Sequence, residues 1–129
     1  MTPKWVSPLF LVAALYDGVL GILFFCFPLW VFETAGVTPP NHIGYVQFPA
    51  LLLILFAIMF ATIARNPVAR RELIWYGVGL KTSYTGLVAW HASAGGIPSM
   101  WIPWAWADVV FLALFVGAWF ATGRVAVRS

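Results

Sequence analysis

Long apolar runs alternate with short polar segments along the whole chain. The runs cover roughly Val6–Phe32, Ile43–Ala64, Leu73–His91 and Trp101–Thr122. Each run is close to the ~20 residues that an α-helix needs to cross a bilayer. Apolar and polar residues do not alternate within the runs, as they would in the strands of a membrane barrel. The pattern therefore predicts four transmembrane helices.

The segments between the runs contain residues that are typical of turns. Pro39 and Pro40 follow the first run, Pro67 follows the second, and paired glycines with Pro98 follow the third. Within a bilayer every backbone amide needs an internal partner, so the runs themselves must be helices. We predict an all-α protein, an integral membrane four-helix bundle that forms one transmembrane domain over residues 1–129.

Basic residues predict the orientation of this bundle. Apart from Lys81, they lie before the first run, between the second and third runs, and after the fourth: Lys4; Arg65, Arg70 and Arg71; Arg124 and Arg128. The other two connecting segments contain no Lys or Arg. By the positive-inside rule, both termini and the middle segment face the cytoplasm. We expect a multi-pass protein of the plasma membrane, which in a bacterium is the inner membrane.

Composition supports a lipid environment and excludes several classes of function. The chain is 63% hydrophobic and only 9% charged, whereas a soluble domain has about 25% charged residues. The net charge of +3 comes from scattered residues without a basic cluster, so a nucleic-acid partner is not expected. The single cysteine, Cys26, excludes an internal disulfide and a thiolate metal site.

Three charged residues lie near the middle of predicted spans: Asp17, Lys81 and Asp108. A charge at the bilayer centre costs roughly 2.5–3.5 kcal/mol or more. One shared site lowers this cost, because Lys81 can pair with one aspartate while the other is protonated or hydrogen-bonded. We therefore expect all three inside the bundle. They form either a functional site or a device that fixes the helix arrangement.

Helical spacing places other polar and aromatic residues near these charges. Tyr84 shares a face with Lys81, and Trp104, Phe111 and Phe115 share a face with Asp108. An aromatic wall beside a few convergent polar groups is typical of a site for a small, mostly apolar molecule. The alternative interpretation is that the rings only fill the core or face lipid. The predicted ligand-binding residues are Asp17, Lys81, Tyr84, Trp104, Asp108, Phe111 and Phe115.

No catalytic residue or metal ligand is assigned from the sequence. Asp17, Lys81 and Asp108 are candidates for acid–base chemistry. His42 and His91 are expected near the same membrane face and are candidate metal ligands, because a neutral imidazole binds metals well. No carboxylate or cysteine completes a ligand set with them, so no metal is predicted and the cofactor stays open.

The first span contains "YDGVLGILFF", with glycines and a charged residue in mid-helix. With this segment the chain resembles the small four-helix bacterial membrane proteins grouped as DoxX-like. Some members are membrane subunits of quinone-linked oxidoreductases, so the resemblance implies an accessory role. The tryptophan-rich "WIPWAWAD", with Asp17 and Lys81, is also similar to four-helix sterol-isomerase-like proteins, whose buried acids face lipophilic ligands. Neither resemblance transfers a functional residue.

Three functions are compatible with this pattern. The first is binding of a lipophilic small molecule, or service as an accessory subunit of a larger membrane complex. The second is an enzyme acting on a lipophilic substrate, isomerase-like or associated with an oxidoreductase. In this enzyme, Asp108 or Asp17 would be the general acid or base, and Trp104 and Phe111 would flank the reacting carbon of the substrate. The third is a proton-coupled carrier that works as a homo-oligomer. An accessory subunit can have sealed charges, an enzyme needs an open cavity beside them, and a carrier needs water access from both faces.

Overall fold

The computed structural model describes residues 2–128, and its regular elements are helices. The α-helices in this part of the chain are α1 (Val6–Cys26), α2 (Pro28–Ala35), α3 (Gly44–Arg65), α4 (Ile74–Ala94) and α5 (Ile102–Arg128). Short 3-10 helices, Arg71–Leu73 and Ser99–Trp101, precede α4 and α5. Residues 2–128 contain no β-strand, so the predicted all-α fold is confirmed. The side chain of Arg128, used above for orientation, lies outside the described atoms.

Within residues 2–128, three helices are long and apolar enough to cross a membrane. They are α1, α3 and the segment Ser99–Val127, which includes most of α5. The third predicted span also forms a helix, α4, but its own composition does not mark it as a span. The reason lies in its central sequence "KTSYT", residues 81–85, which replaces apolar side chains by an ammonium group and hydroxyls.

The first predicted span is divided into two helices. α1 ends at Cys26, and Phe27 has φ −131° and ψ 47°, which is not helical. Pro28 causes the break, because proline lacks an N–H group and disfavours the helical conformation of the residue before it. The short helix α2 then begins at Pro28 and ends at Ala35, and the following Gly36 has the left-handed φ of 69°.

The long helices pack as two close pairs, α1 with α3 and α4 with α5. Gly18 lies beside Ala57 and Gly21 lies beside Ala50, so α1 and α3 run in opposite directions. A Cβ atom on Gly21 would be 2.8 Å from the carbonyl oxygen of Ala50. Small residues permit this close approach of backbones, as expected between membrane helices.

Aromatic side chains fill the space between the two pairs on one side of the charged residues. The rings of Phe10 and Phe115 stack with centroids 4.8 Å apart, and Phe60 packs 5.2 Å from Phe115. All three are fully buried. Gly77 of α4 completes this core, because a Cβ atom there would lie 2.7 Å from the Phe60 ring. The four long helices therefore share one core next to the charged centre.

Candidate functional site

The structure brings Asp17, Lys81 and Asp108 together inside the bundle. Lys81 Nζ lies 2.9 Å from Asp17 Oδ1 and 3.1 Å from Asp108 Oδ1. The exposed fractions of Asp17 and Lys81 are 1%, and that of Asp108 is 6%. The three residues come from α1, α4 and α5, and they meet where the two helix pairs face each other. The predicted pairing of Lys81 with an aspartate is thus confirmed.

The two aspartates hold Lys81 unequally. Lys81 Nζ donates hydrogen bonds to both oxygens of Asp17, at 2.9 and 3.0 Å. Its 3.1 Å contact with Asp108 Oδ1 is an ion pair outside hydrogen-bonding geometry, and among the described residues that oxygen has no hydrogen-bond partner. Asp17 therefore anchors the lysine, whereas Asp108 keeps capacity to accept a hydrogen bond.

Aromatic rings surround the Lys81 ammonium group on its remaining sides. Nζ lies 5.2 Å from the ring centroid of Tyr16, 5.1 Å from that of Phe111 and 5.8 Å from that of Phe60. A cation this close to ring faces is stabilised by their quadrupoles. An ammonium group has three donors, two of which bind Asp17. Asp108 faces the ammonium group as well, so the protein itself supplies the interaction partners of Lys81.

A cavity of about 250 Å³ lies beside the charged cluster. Its walls are almost entirely apolar, and they come from α1, α3, α4 and α5 together with the second 3-10 helix. All three charged residues contribute to the lining. The complete set is Tyr16, Asp17, Leu20, Phe24, Pro49, Leu52, Leu53, Phe56, Leu80, Lys81, Tyr84, Trp101, Trp104 and Asp108.

Five of the seven predicted ligand-binding residues line this cavity: Asp17, Lys81, Tyr84, Trp104 and Asp108. The other two lie elsewhere. Phe111 packs against the Lys81 ammonium and the Tyr16 ring, and Phe115 belongs to the buried aromatic core. Phe111 and Phe115 lie on the same face of α5 as Asp108, but this face is wide enough to contact the core next to the cavity as well.

The cavity hydroxyls differ in their bonding. Tyr84 donates a 2.7 Å hydrogen bond to the carbonyl oxygen of Trp101, which ties α4 to the start of the following helix. The Tyr16 hydroxyl is buried and has no partner within residues 2–128. Sequence reasoning missed Tyr16, because neighbours in a helix point about 100° apart and Tyr16 was not expected on the face of Asp17.

A second cavity, of about 470 Å³, adjoins the first. Phe24, Pro49 and Trp101 line both cavities, so these side chains form the partition between them. The second cavity lies under the segment that joins α2 to α3, with Val37 and Pro40 in its wall. It lies between the region of the charged centre and the end of the bundle where α1 ends and α3 begins.

The two histidines are exposed and interact locally. His42 Nδ1 accepts a 3.0 Å hydrogen bond from the Gly44 backbone amide, and the His91 ring stacks on Trp90. Within the described part of the chain, no group of three or more His, Cys, Asp or Glu side chains is placed to hold a metal ion. The geometry therefore gives no support to a joint metal site at His42 and His91.

Comparisons of the chain with protein families, with curated proteins and with solved structures found no significant match. The resemblance to DoxX-like proteins stays a prediction. The geometry of the charged centre and its cavity is therefore the basis for assigning a function.

Proposed function

We propose that the protein is a four-span protein of the plasma membrane, with both termini in the cytoplasm, that binds a lipophilic small molecule. The ligand occupies the cavity beside Asp108 and carries one polar group that donates a hydrogen bond to this carboxylate. The apolar remainder of the ligand contacts the walls formed by Leu20, Leu53 and Trp104.

The arrangement of helix ends supports the four-span topology. Val6, Ile63, Ile74 and Ala118 belong to one buried cluster, so the start of α1, the end of α3, the start of α4 and the last part of α5 share one end of the bundle. Apart from Lys81, the basic residues lie near or beyond those helix ends. α4 has 21 residues, and at about 1.5 Å per residue it matches a hydrocarbon core of about 30 Å.

The observation that carries the proposal is the carboxylate of Asp108, which forms an ion pair with Lys81 but, among the described residues, accepts no hydrogen bond at Oδ1. Lys81 supplies one positive charge for two carboxylates, and both of its resolved hydrogen bonds go to Asp17. A buried polar atom without a hydrogen bond is costly, and a hydrogen bond that involves a charged group contributes about 1.5–3 kcal/mol. A ligand with a hydroxyl or amine group gains that interaction, whereas a purely apolar lipid does not.

The adjoining second cavity supports a route for such a ligand. It leads from the cavity beside Asp108 toward the end of the bundle opposite the basic residues, and both spaces are lined mainly by apolar side chains. A lipophilic molecule therefore meets compatible surfaces along this path. The side chains of Phe24 and Trp101, whose rings stack 5.9 Å apart, lie at the partition.

Acid–base chemistry is the second proposal that the same carboxylate favours. A general acid or base must reach its substrate, and Asp108 lines the cavity without a hydrogen-bonded partner of its own. Lys81 and Asp17 are bound to each other and would position Asp108 rather than transfer a proton. Conversion of the bound molecule, rather than its recovery unchanged, distinguishes this enzyme from a binding protein.

The test is to purify the protein in a mild detergent and identify its retained lipophiles by mass spectrometry. Wild type is compared with Asp108→Asn, with the cavity-filling variant Leu53→Trp, and with Glu33→Gln as a control that removes an exposed acid which does not line the cavity. We expect one enriched compound in wild type and Glu33→Gln that is lost from the other two. Identical profiles in all four proteins, with helicity unchanged by circular dichroism, would overturn the proposal.

A further inference from the structure

A second site of charged and aromatic residues lies at the basic end of the bundle. The guanidinium group of Arg71 stacks over the Trp119 ring, 3.3 Å from its centroid. Arg71 Nε and Nη2 also donate hydrogen bonds to the Trp119 carbonyl oxygen, at 3.0 and 2.9 Å. Arginine has five N–H donors, so three remain for another partner after these two contacts. The side chain is thus held in one orientation with donors to spare.

Gly123 provides the space for this orientation. A Cβ atom at Gly123 would collide with the guanidinium group of Arg71. The hydroxyl of the neighbouring Thr122 donates a 2.7 Å hydrogen bond to the Ala118 carbonyl oxygen in its own helix. The position of Arg71 therefore depends on a glycine on another helix, far away in the sequence.

The guanidinium group lies at a groove of about 590 Å³ on the outer surface of α5. The lining combines a second guanidinium group with apolar side chains: Arg71, Trp119, Phe120, Gly123, Arg124, Ala126 and Val127. Among the described residues, no carboxylate lies within ion-pair distance of Arg71 or Arg124. Phe120 is 61% exposed and Val127 is 88% exposed. Within residues 2–128, the groove thus joins positive charge that has no ion-pair partner to an exposed apolar surface.

We propose that this groove binds the phosphate group of an anionic phospholipid of the cytoplasmic leaflet. Guanidinium groups match phosphate oxygens with two parallel hydrogen bonds. Basic pockets between membrane helices on the cytoplasmic side are suited to anionic head groups. Phe120 and Val127 contact the upper part of the acyl chains, which a free phosphate ion lacks. The site is separate from the cavity beside Asp108, and it does not depend on what that cavity binds.

The experiment measures binding of defined lipids to the delipidated protein by native mass spectrometry. The probes are phosphatidylglycerol, phosphatidylcholine and inorganic phosphate, each added to the full-length chain in a neutral detergent. We expect phosphatidylglycerol to bind best. Arg124→Gln should lower its affinity about fivefold, because one basic side chain near an anionic lipid contributes about 1 kcal/mol. Arg71→Gln and Gly123→Ala should lower it at least as much, the latter without any change in charge.

Arg65→Gln is the matched control, since it removes one exposed basic charge from the same end of the bundle but not from the groove. Its affinity for phosphatidylglycerol should equal that of wild type. An equal loss in Arg65→Gln and Arg124→Gln would show general attraction and overturn the site. Competition by millimolar inorganic phosphate would assign the groove to a soluble anion and overturn the lipid. Arg124→Gln leaves the contacts of Arg71 with Trp119 in place, so the test stands even if Arg71→Gln fails to fold.

Discussion

Asp17 accepts hydrogen bonds from Lys81 through both of its carboxylate oxygens, and this ion pair connects the two pairs of helices. Asp17 belongs to the pair α1–α3, and Lys81 belongs to the pair α4–α5. Backbones of the two pairs stay farther apart than those within a pair. Long side chains therefore bridge this interface, and the ion pair with its aromatic surroundings is the central bridge.

Replacing Lys81 by Met should destabilise the protein strongly. The substitution keeps the length of the side chain but leaves Asp17 and Asp108 buried without a cation. Breaking a buried pair by removing one partner costs about 3–5 kcal/mol. The free energy of unfolding can be measured by titration with sodium dodecyl sulfate in mixed micelles, followed by circular dichroism.

The double variant Lys81→Met with Asp17→Asn isolates the interaction. It should recover a large part of the loss, because a neutral amide replaces the stranded charge and residues in contact do not behave additively. If the losses of the two single variants simply add in the double variant, the ion pair is not what stabilises this interface.

The two aspartates should respond differently to the same substitution. Asp17→Asn removes a carboxylate that accepts two hydrogen bonds from Lys81, whereas Asp108→Asn removes one that accepts none in hydrogen-bonding geometry. Each hydrogen bond to a charged group contributes about 1.5–3 kcal/mol. We expect Asp17→Asn to lower the free energy of unfolding by at least about 1.5 kcal/mol more than Asp108→Asn. Equal losses in the same titration would contradict an anchoring role for Asp17.

Two glycines on α4 offer a matched test of helix packing. A Cβ atom on Gly77 would lie 2.7 Å from the Phe60 ring and 3.2 Å from the Phe115 ring, whereas one on Gly79 would meet nothing within 4 Å. Gly77→Ala should cost about 1–3 kcal/mol through overpacking of the core. Gly79→Ala should be neutral or stabilise by up to about 1 kcal/mol, because alanine favours the helix. A neutral Gly77→Ala would show that the aromatic core is loosely packed.

Labelling with a thiol reagent tests the topology. Cys26 is exposed, so it is first replaced by Ser, and single cysteines are then placed at Gly95 and Ala69. An impermeant reagent added to intact cells should label position 95, between α4 and α5, and should label position 69 only after lysis. The positive-inside distribution of Lys and Arg gives this direction. The reverse pattern would refute the orientation, and labelling of both positions from outside would refute the passage of α4 through the membrane.

The sequence by itself determined the helical elements and the location of the charged centre. Apolar runs and turn residues were enough to locate the long helices, three of which are long and apolar enough to cross a membrane. Even the pairing of Lys81 was predictable, because a buried charge is stabilised mainly by an opposite charge on a neighbouring helix. The break at Phe27 was not predicted, because the first span was expected to run without interruption from Val6 to Phe32.

Only the tertiary structure decided how the helices are rotated and spaced. Helical periodicity placed Phe115 on the face of Asp108, but the Phe115 ring packs against Gly77 and Phe60 in the core and does not line the cavity. From the sequence, Lys81 could pair equally well with Asp17 or with Asp108. In the structure, the packing of the helices directs its hydrogen bonds to Asp17. Tyr16 enters the cavity for a similar reason. Each outcome depends on how the helices are rotated and spaced against each other, which the periodicity of one helix does not contain.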